Sequence, residues 1–174
     1  GSDITLNFGN WNLVSDSTEL LADSSMIRFT TSYGMMRNTG GDTLSFHNVW
    51  FSESGGYNDL TSLQVTCRFN LVSFAGNANI NGNNIFDTLF LTPGNTYKLE
   101  AGKQQRLSIM EANGNCFNTI SLSSNAIPQQ AVIAKSSDTL KITYASLNGI
   151  NGQGGAVFHA VNSIDKGHNS NWVI

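Results

Sequence analysis

Residues 63–74 read Leu-Gln-Val-Thr-Cys-Arg-Phe-Asn-Leu-Val-Ser-Phe, and apolar and polar side chains alternate through the first nine positions without a fault. Leu63, Val65, Cys67, Phe69 and Leu71 fall on one face, and Gln64, Thr66, Arg68 and Asn70 on the other, the period-two signature of a strand with one dry side. A slip of one residue would carry Gln64 and Arg68 into the core and five apolar side chains into water, so the register is strongly fixed. The stretch therefore predicts a strand whose Phe69 face is covered by a second layer of sheet.

The same alternation recurs at Ile4, Leu6 and Phe8, at Leu44, Phe46, Asn48 and Trp50, and at Tyr97, Leu99 and Ala101. Residues 11–14, 26–32, 85–91, 106–111, 116–122, 131–134, 139–146, 156–162 and 171–174 are also strand-like, giving roughly a dozen short strands at the interval of a sandwich or barrel. Thr92-Pro93-Gly94-Asn95 has the residues of a type II turn, and Asn113-Gly114 is the strongest hairpin signal in the chain. Residues 15–25 hold the one helical candidate, a single turn at Glu19-Leu20-Leu21-Ala22. Residues 33–41, 53–59, 76–84 and 149–155 read as loops. Asp-Thr-Leu recurs at Asp42, Asp87 and Asp138, which we read as turn-then-strand chemistry and not as a repeat architecture. The expected fold is all-β: one antiparallel β-sandwich or jelly-roll domain over residues 3–174, preceded by Gly1-Ser2, a pair left by the expression vector.

Charged residues are 12% of the chain, the net charge is -3 and the pI is near 5.4, which excludes the basic face that nucleic acid or an anionic membrane surface would require. No apolar run is long enough to cross a bilayer. Asn, Ser, Thr and Gly supply the polarity that charges would otherwise give, a composition that suits outward strand faces and long loops. None of the Asn residues begins an Asn-x-Ser/Thr acceptor. Cys67 and Cys116 allow one disulfide, while the apolar phase of Cys67 equally suits a buried free thiol.

No motif for catalysis or metal binding survives inspection. Asn77-Ala78-Asn79-Ile80-Asn81-Gly82-Asn83 mimics half a calcium loop, but its ligands are neutral and Thr88 stands where a bidentate Glu belongs, so it reads as an Asn/Gly loop. The glycines of residues 149–155 lead into a strand and not into a helix, unlike a phosphate cradle. His47, His159 and His168 have no metal-ligand spacing, and there is no Gly-x-Ser-x-Gly. What remains are loops that combine an aromatic ring with planar polar side chains: Tyr57, Asn58 and Asp59; Tyr33 with Arg37 and Asn38; and residues 165–172, with His168 and Trp172. A sugar offers an apolar face and a rim of hydroxyls, which such groups match. The candidate ligand-binding residues are accordingly Tyr57, Asn58, Asp59, Arg37, His168 and Trp172, with no catalytic residue, metal or cofactor.

The series of strands, the Asn/Gly/Ser loops at residues 76–84 and 148–155, and the terminal Asn171-Trp172-Val173-Ile174 resemble the C-terminal head of a trimeric fibre or tail-fibre protein, or a lectin-like adhesin tip. The resemblance implies a homotrimer at a cell or virion surface, binding a glycan or protein receptor through exposed loops. It also implies subunit contacts through Ile4, Leu6, Trp50 or Trp172. The resulting reading is a non-catalytic extracellular attachment domain. A carbohydrate-active enzyme or its accessory module, and a structural surface or pilus subunit, are the alternatives.

Overall fold

A computed structural model of the chain describes residues 3–7, 9–13, 24–41 and 43–174. The strands run β1 (Asp3–Leu6), β2 (Asn10–Leu13), β3 (Met26–Phe29), β4 (Met35–Asn38), β5 (Ser45–Phe51), β6 (Tyr57–Phe74), β7 (Asn77–Leu91), β8 (Thr96–Leu99) and β9 (Gln104–Glu111). They continue as β10 (Ile120–Ser124), β11 (Ala131–Ala134), β12 (Thr139–Thr143), β13 (Ala145–Asn148), β14 (Ile150–Gln153), β15 (Val157–Val161), β16 (Ile164–Asp165) and β17 (Trp172–Val173). Every ladder among the described residues is parallel, and the described residues include no helix. The helical turn expected at residues 19–22 lies outside the described residues.

The antiparallel sandwich or jelly roll is therefore wrong: the chain is a parallel β-solenoid of about seven turns. Period-two alternation is common to both architectures, because it reports which faces are dry and not which strand lies alongside. Here each strand pairs with the strand one coil away. Residues 57–62 lie on residues 77–82, and residues 67–74 lie on residues 84–91. The second layer facing Phe69 is supplied by other walls of the same coil, not by a second sheet.

Three walls make up a coil. Wall 1 contains β2, β4, residues 57–62 of β6, residues 77–82 of β7, β8, β10, β13 and β16. The chain then turns into wall 2, where Phe46, Phe69, Phe86 and Leu107 stand in register. The third corner lies inside the long strands. Asn70 is exposed and Leu71 half-buried, Ser108 and Ile109 are both exposed, and the ladder omits the pairs that Asn70 and Asp87 would make. Two successive outward residues require a bend, so the alternation that fixes Cys67 and Phe69 indoors is reset, and Val72 and Phe74 become the buried residues of wall 3. At its start the alternation also ends early: Leu63 is 55% exposed on the wall 1 to wall 2 corner, where the register shifts between Ser62 and Cys67.

The interior is a column of like on like. Phe29 stacks on Phe51 and Phe51 on Phe74, each with centroids 4.7 Å apart, and Phe46, Phe69 and Phe86 stack at 5.2 and 5.4 Å. Wall 1 adds Met36, Leu60, Ile80 and Leu99. The corners are held by amides. Ser62 Oγ donates to Asn84 Oδ1 (2.8 Å), Asn84 Nδ2 to Gln105 Oε1 (2.8 Å) and Gln105 Nε2 to the Gly82 carbonyl (2.8 Å), all buried. Asn58 accepts from Gly34 N (3.2 Å), and Asn77 Oδ1 accepts from Thr96 N (2.8 Å). Where the chain leaves the wall its backbone groups lose ladder partners, and asparagine replaces them coil after coil. This accounts for the Asn-rich composition.

Several loop expectations change accordingly. Residues 77–82 are a strand with Ala78 and Ile80 inside, residues 150–153 are β14, and residues 35–38 are β4. Asn113-Gly114 is no hairpin: Asn113 bridges in parallel to Thr143. The type II turn is present, with Gly94 at φ 83. Cys67 and Cys116 are both free thiols, the first buried beside Asn38 Nδ2 (3.3 Å) and the second exposed.

Candidate functional site

The outer face of wall 1 gathers polar side chains in register. Met35, Asp59, Asn79 and Lys98 occupy one column, and Arg37, Thr61 and Asn81 the next, two residues further along the strands. Strand spacing of about 4.8 Å sets the distance between levels. Because inward residues Leu60 and Ile80 anchor the same strands in the core, these outward side chains are fixed at their roots.

Their tips are fixed too. Arg37 Nη2 lies 3.4 Å from Asp59 Oδ2, with the Arg side chain 42% and the Asp side chain 20% exposed. Thr61 Oγ1 donates to Asp59 Oδ1, and Asn81 Nδ2 donates both to that oxygen (3.4 Å) and to Thr61 Oγ1 (3.1 Å). A half-exposed ion pair of this kind adds little to stability, of order 0–1 kcal/mol. Its effect is to hold carboxylate, guanidinium, hydroxyl and amide in one arrangement before any ligand arrives.

Beside this cluster, Tyr57 is 38% exposed and its hydroxyl donates to Asn79 Oδ1 (3.3 Å). One coil below, Tyr33 is 74% exposed at the same corner, where Tyr57 N donates to the Ser32 carbonyl (2.7 Å). Two tyrosines thus border a rim of amides and charges, the combination that suits the apolar face and hydroxyl edge of a sugar.

Of the six residues expected from sequence, Arg37, Tyr57 and Asp59 come together here. Asn58 does not join them; it is fully buried and its Nδ2 donates to the Asn77 carbonyl (3.1 Å). His168 and Trp172 lie in the last coil. His168 sits in a turn at φ 57, its carbonyl accepting from Gln130 Nε2 (2.6 Å), and Trp172 packs inward on Phe158 at 5.1 Å. Thr61, Asn79 and Asn81 were missed as site residues. The signal for two of them was present: Asn77, Asn79 and Asn81 alternate with Ala78 and Ile80, which places the amides outward on a strand.

Among the described residues there is no group of three or more His, Cys, Asp or Glu placed to hold a metal ion. No helix among them is long and apolar enough to cross a membrane. No protein-family model, curated protein or solved structure matches the chain.

Proposed function

We propose that the solenoid is a non-catalytic extracellular attachment module whose wall 1 binds a glycan of a cell-surface receptor. The observation that carries this reading is the preformed cluster of Arg37, Asp59, Thr61 and Asn81 beside the exposed ring of Tyr57. A flat, parallel wall suits an extended chain of sugars lying along or across the levels, because equivalent positions repeat at each coil.

A glycan array probed with the intact chain, paired with a reducing-sugar assay on the glycans that bind, tests the proposal. Binding without product, lost in Tyr57→Ala and weakened in Asp59→Asn at unchanged melting temperature, is the expected result. Product release would transfer the chain to the carbohydrate-active enzymes. No binding to any glycan, together with open polymers in light scattering, would favour a structural subunit, and the same scattering measurement tests the homotrimer.

A further inference from the structure

Wall 3 is interrupted once. It runs without a break from β1 to residues 109–111 of β9 and again through β12, β15 and β17, but no ladder joins the two parts among the described residues. One parallel bridge, Asn113 to Thr143, closes one end. At the other end residues 135–138 turn outward before β12 begins, and Lys135 Nζ reaches into the gap to donate to the Ser108 carbonyl (2.6 Å). The split opens a cleft of about 400 Å³ between Ile109, Glu111, Lys135, Leu140, Lys141 and their neighbours, within the size range of ligand pockets, roughly 300–1,000 Å³. An adjoining hollow of about 230 Å³ shares Ser108 and Lys135 and adds Arg106.

The chemistry of this cleft differs from that of wall 1. Met110 and Leu140 are buried beneath it, Ile109 is 52% exposed on its side, and Thr139, Thr143 and Asn113 supply hydroxyls and an amide. Lys135 and Lys141 line the cleft with a single carboxylate, Glu111, and Arg106 lines the adjoining hollow, on a chain whose net charge is -3. Continuing the bridge register back two residues sets Glu111 opposite Lys141, yet the two form no ion pair; Glu111 Oε2 accepts from Asn113 Nδ2 (3.1 Å) instead. Lys135 spends one of three ammonium protons on Ser108 and keeps two for a ligand.

We propose that the split in wall 3 is a second binding site, for an anionic sugar residue of an acidic polysaccharide, its carboxylate or sulfate held by Lys135 and Lys141 and its ring laid on the exposed side chain of Ile109. The site stands on a different wall from the Tyr57 cluster and does not depend on it.

Calorimetric titration of the intact chain tests the assignment with four probes: oligogalacturonate, the same oligomer fully methyl-esterified, a chondroitin sulfate oligosaccharide and inorganic sulfate. We expect at least one acidic oligosaccharide to bind in a salt-sensitive manner. Its affinity should fall roughly tenfold or more in Lys141→Met and in Lys135→Met, rise severalfold in Glu111→Gln, and stay unchanged in Tyr57→Ala. Preference for oligogalacturonate over its ester identifies the carboxylate, and displacement of bound chondroitin sulfate by excess inorganic sulfate identifies the sulfate. Lys141 is exposed, so its variant keeps the fold if Lys135→Met does not. Equal binding of the esterified oligomer, inorganic sulfate binding as tightly as the oligosaccharides, an unchanged affinity in Lys141→Met, or no binding of either acidic oligomer would each overturn the proposal.

Discussion

Two glycines show how closely the coils approach. A Cβ on Gly82, at φ 75, would lie 1.6 Å from the Ser62 carbonyl oxygen of the coil below, whereas one on Gly55 would meet nothing within 4 Å. Gly82→Ala should cost more than about 2 kcal/mol in urea unfolding, since left-handed strain and a backbone clash add. Gly55→Ala should stay within about 0.5 kcal/mol. Tyr97 supplies the corresponding test of burial. Burial pushes its hydroxyl well above the ordinary 10.0, because the phenolate would lose its water. A raised value in the fold means a contribution fully present below pH 10 and lost as pH rises beyond it, while the unfolded chain ionises first. Tyr97→Phe should therefore flatten the alkaline fall of stability expected above about pH 10 relative to the parent chain, although at neutral pH it loses the hydroxyl's bonding to Thr92 O (2.9 Å) and Phe74 O (3.3 Å), about 1 kcal/mol.

At the scale of the element, the positions of most strands were legible and their partners were not. Phe69 is buried, 3% exposed, between Phe46 and Phe86, and Phe69→Ala should destabilise by about 3–5 kcal/mol by chemical denaturation. The alternation that announced it gave no hint that Asn70 and Leu71 form a corner, because an outward pair is visible only once the neighbouring coil is in place. Asn113-Gly114 misled for a related reason. A hairpin reading assumes that flanking strands pair with each other, yet β9 pairs with β7 and β11, and β10 with β8 and β13. The Asn-rich corners look like loops in the sequence because amides are turn formers, although here they replace the ladder. Asn84→Ala would strand the Ser62 hydroxyl and Gln105 Oε1 in the interior and should cost about 2–4 kcal/mol, again by denaturant unfolding.

For the whole molecule, the repeat stayed hidden because the coils differ in length. Successive occupants of one station are Phe46, Phe69, Phe86 and Leu107, unequally spaced and not identical. Asp-Thr-Leu marks one station in two of its copies only: by the Asn113 to Thr143 register, Leu89, Met110 and Leu140 fall in one column of wall 3, whereas Leu44 precedes Phe46 on wall 2. Asp42, in the remaining copy, lies outside the described residues. Of the candidate site, Arg37, Tyr57 and Asp59 were legible as polar and aromatic groups close in sequence, whereas Asn79 and Asn81 join them only through stacking. Trp172 shows the converse, an aromatic that looked like a ligand platform and instead packs against Phe158 in the last coil. Trp172→Ala should lower stability by about 1–3 kcal/mol in thermal or urea melts, less than a fully buried ring would, and leave glycan binding at wall 1 unchanged.

Since every ladder bond between coils points along the solenoid axis, traction applied at the two ends would be borne by one coil's bonds at a time and not shared among all of them. A tether of this kind yields stepwise, each released turn paying out slack that absorbs the tug before the next turn is strained. Under load a coil stack so built would act as a shock absorber between whatever its two ends are joined to.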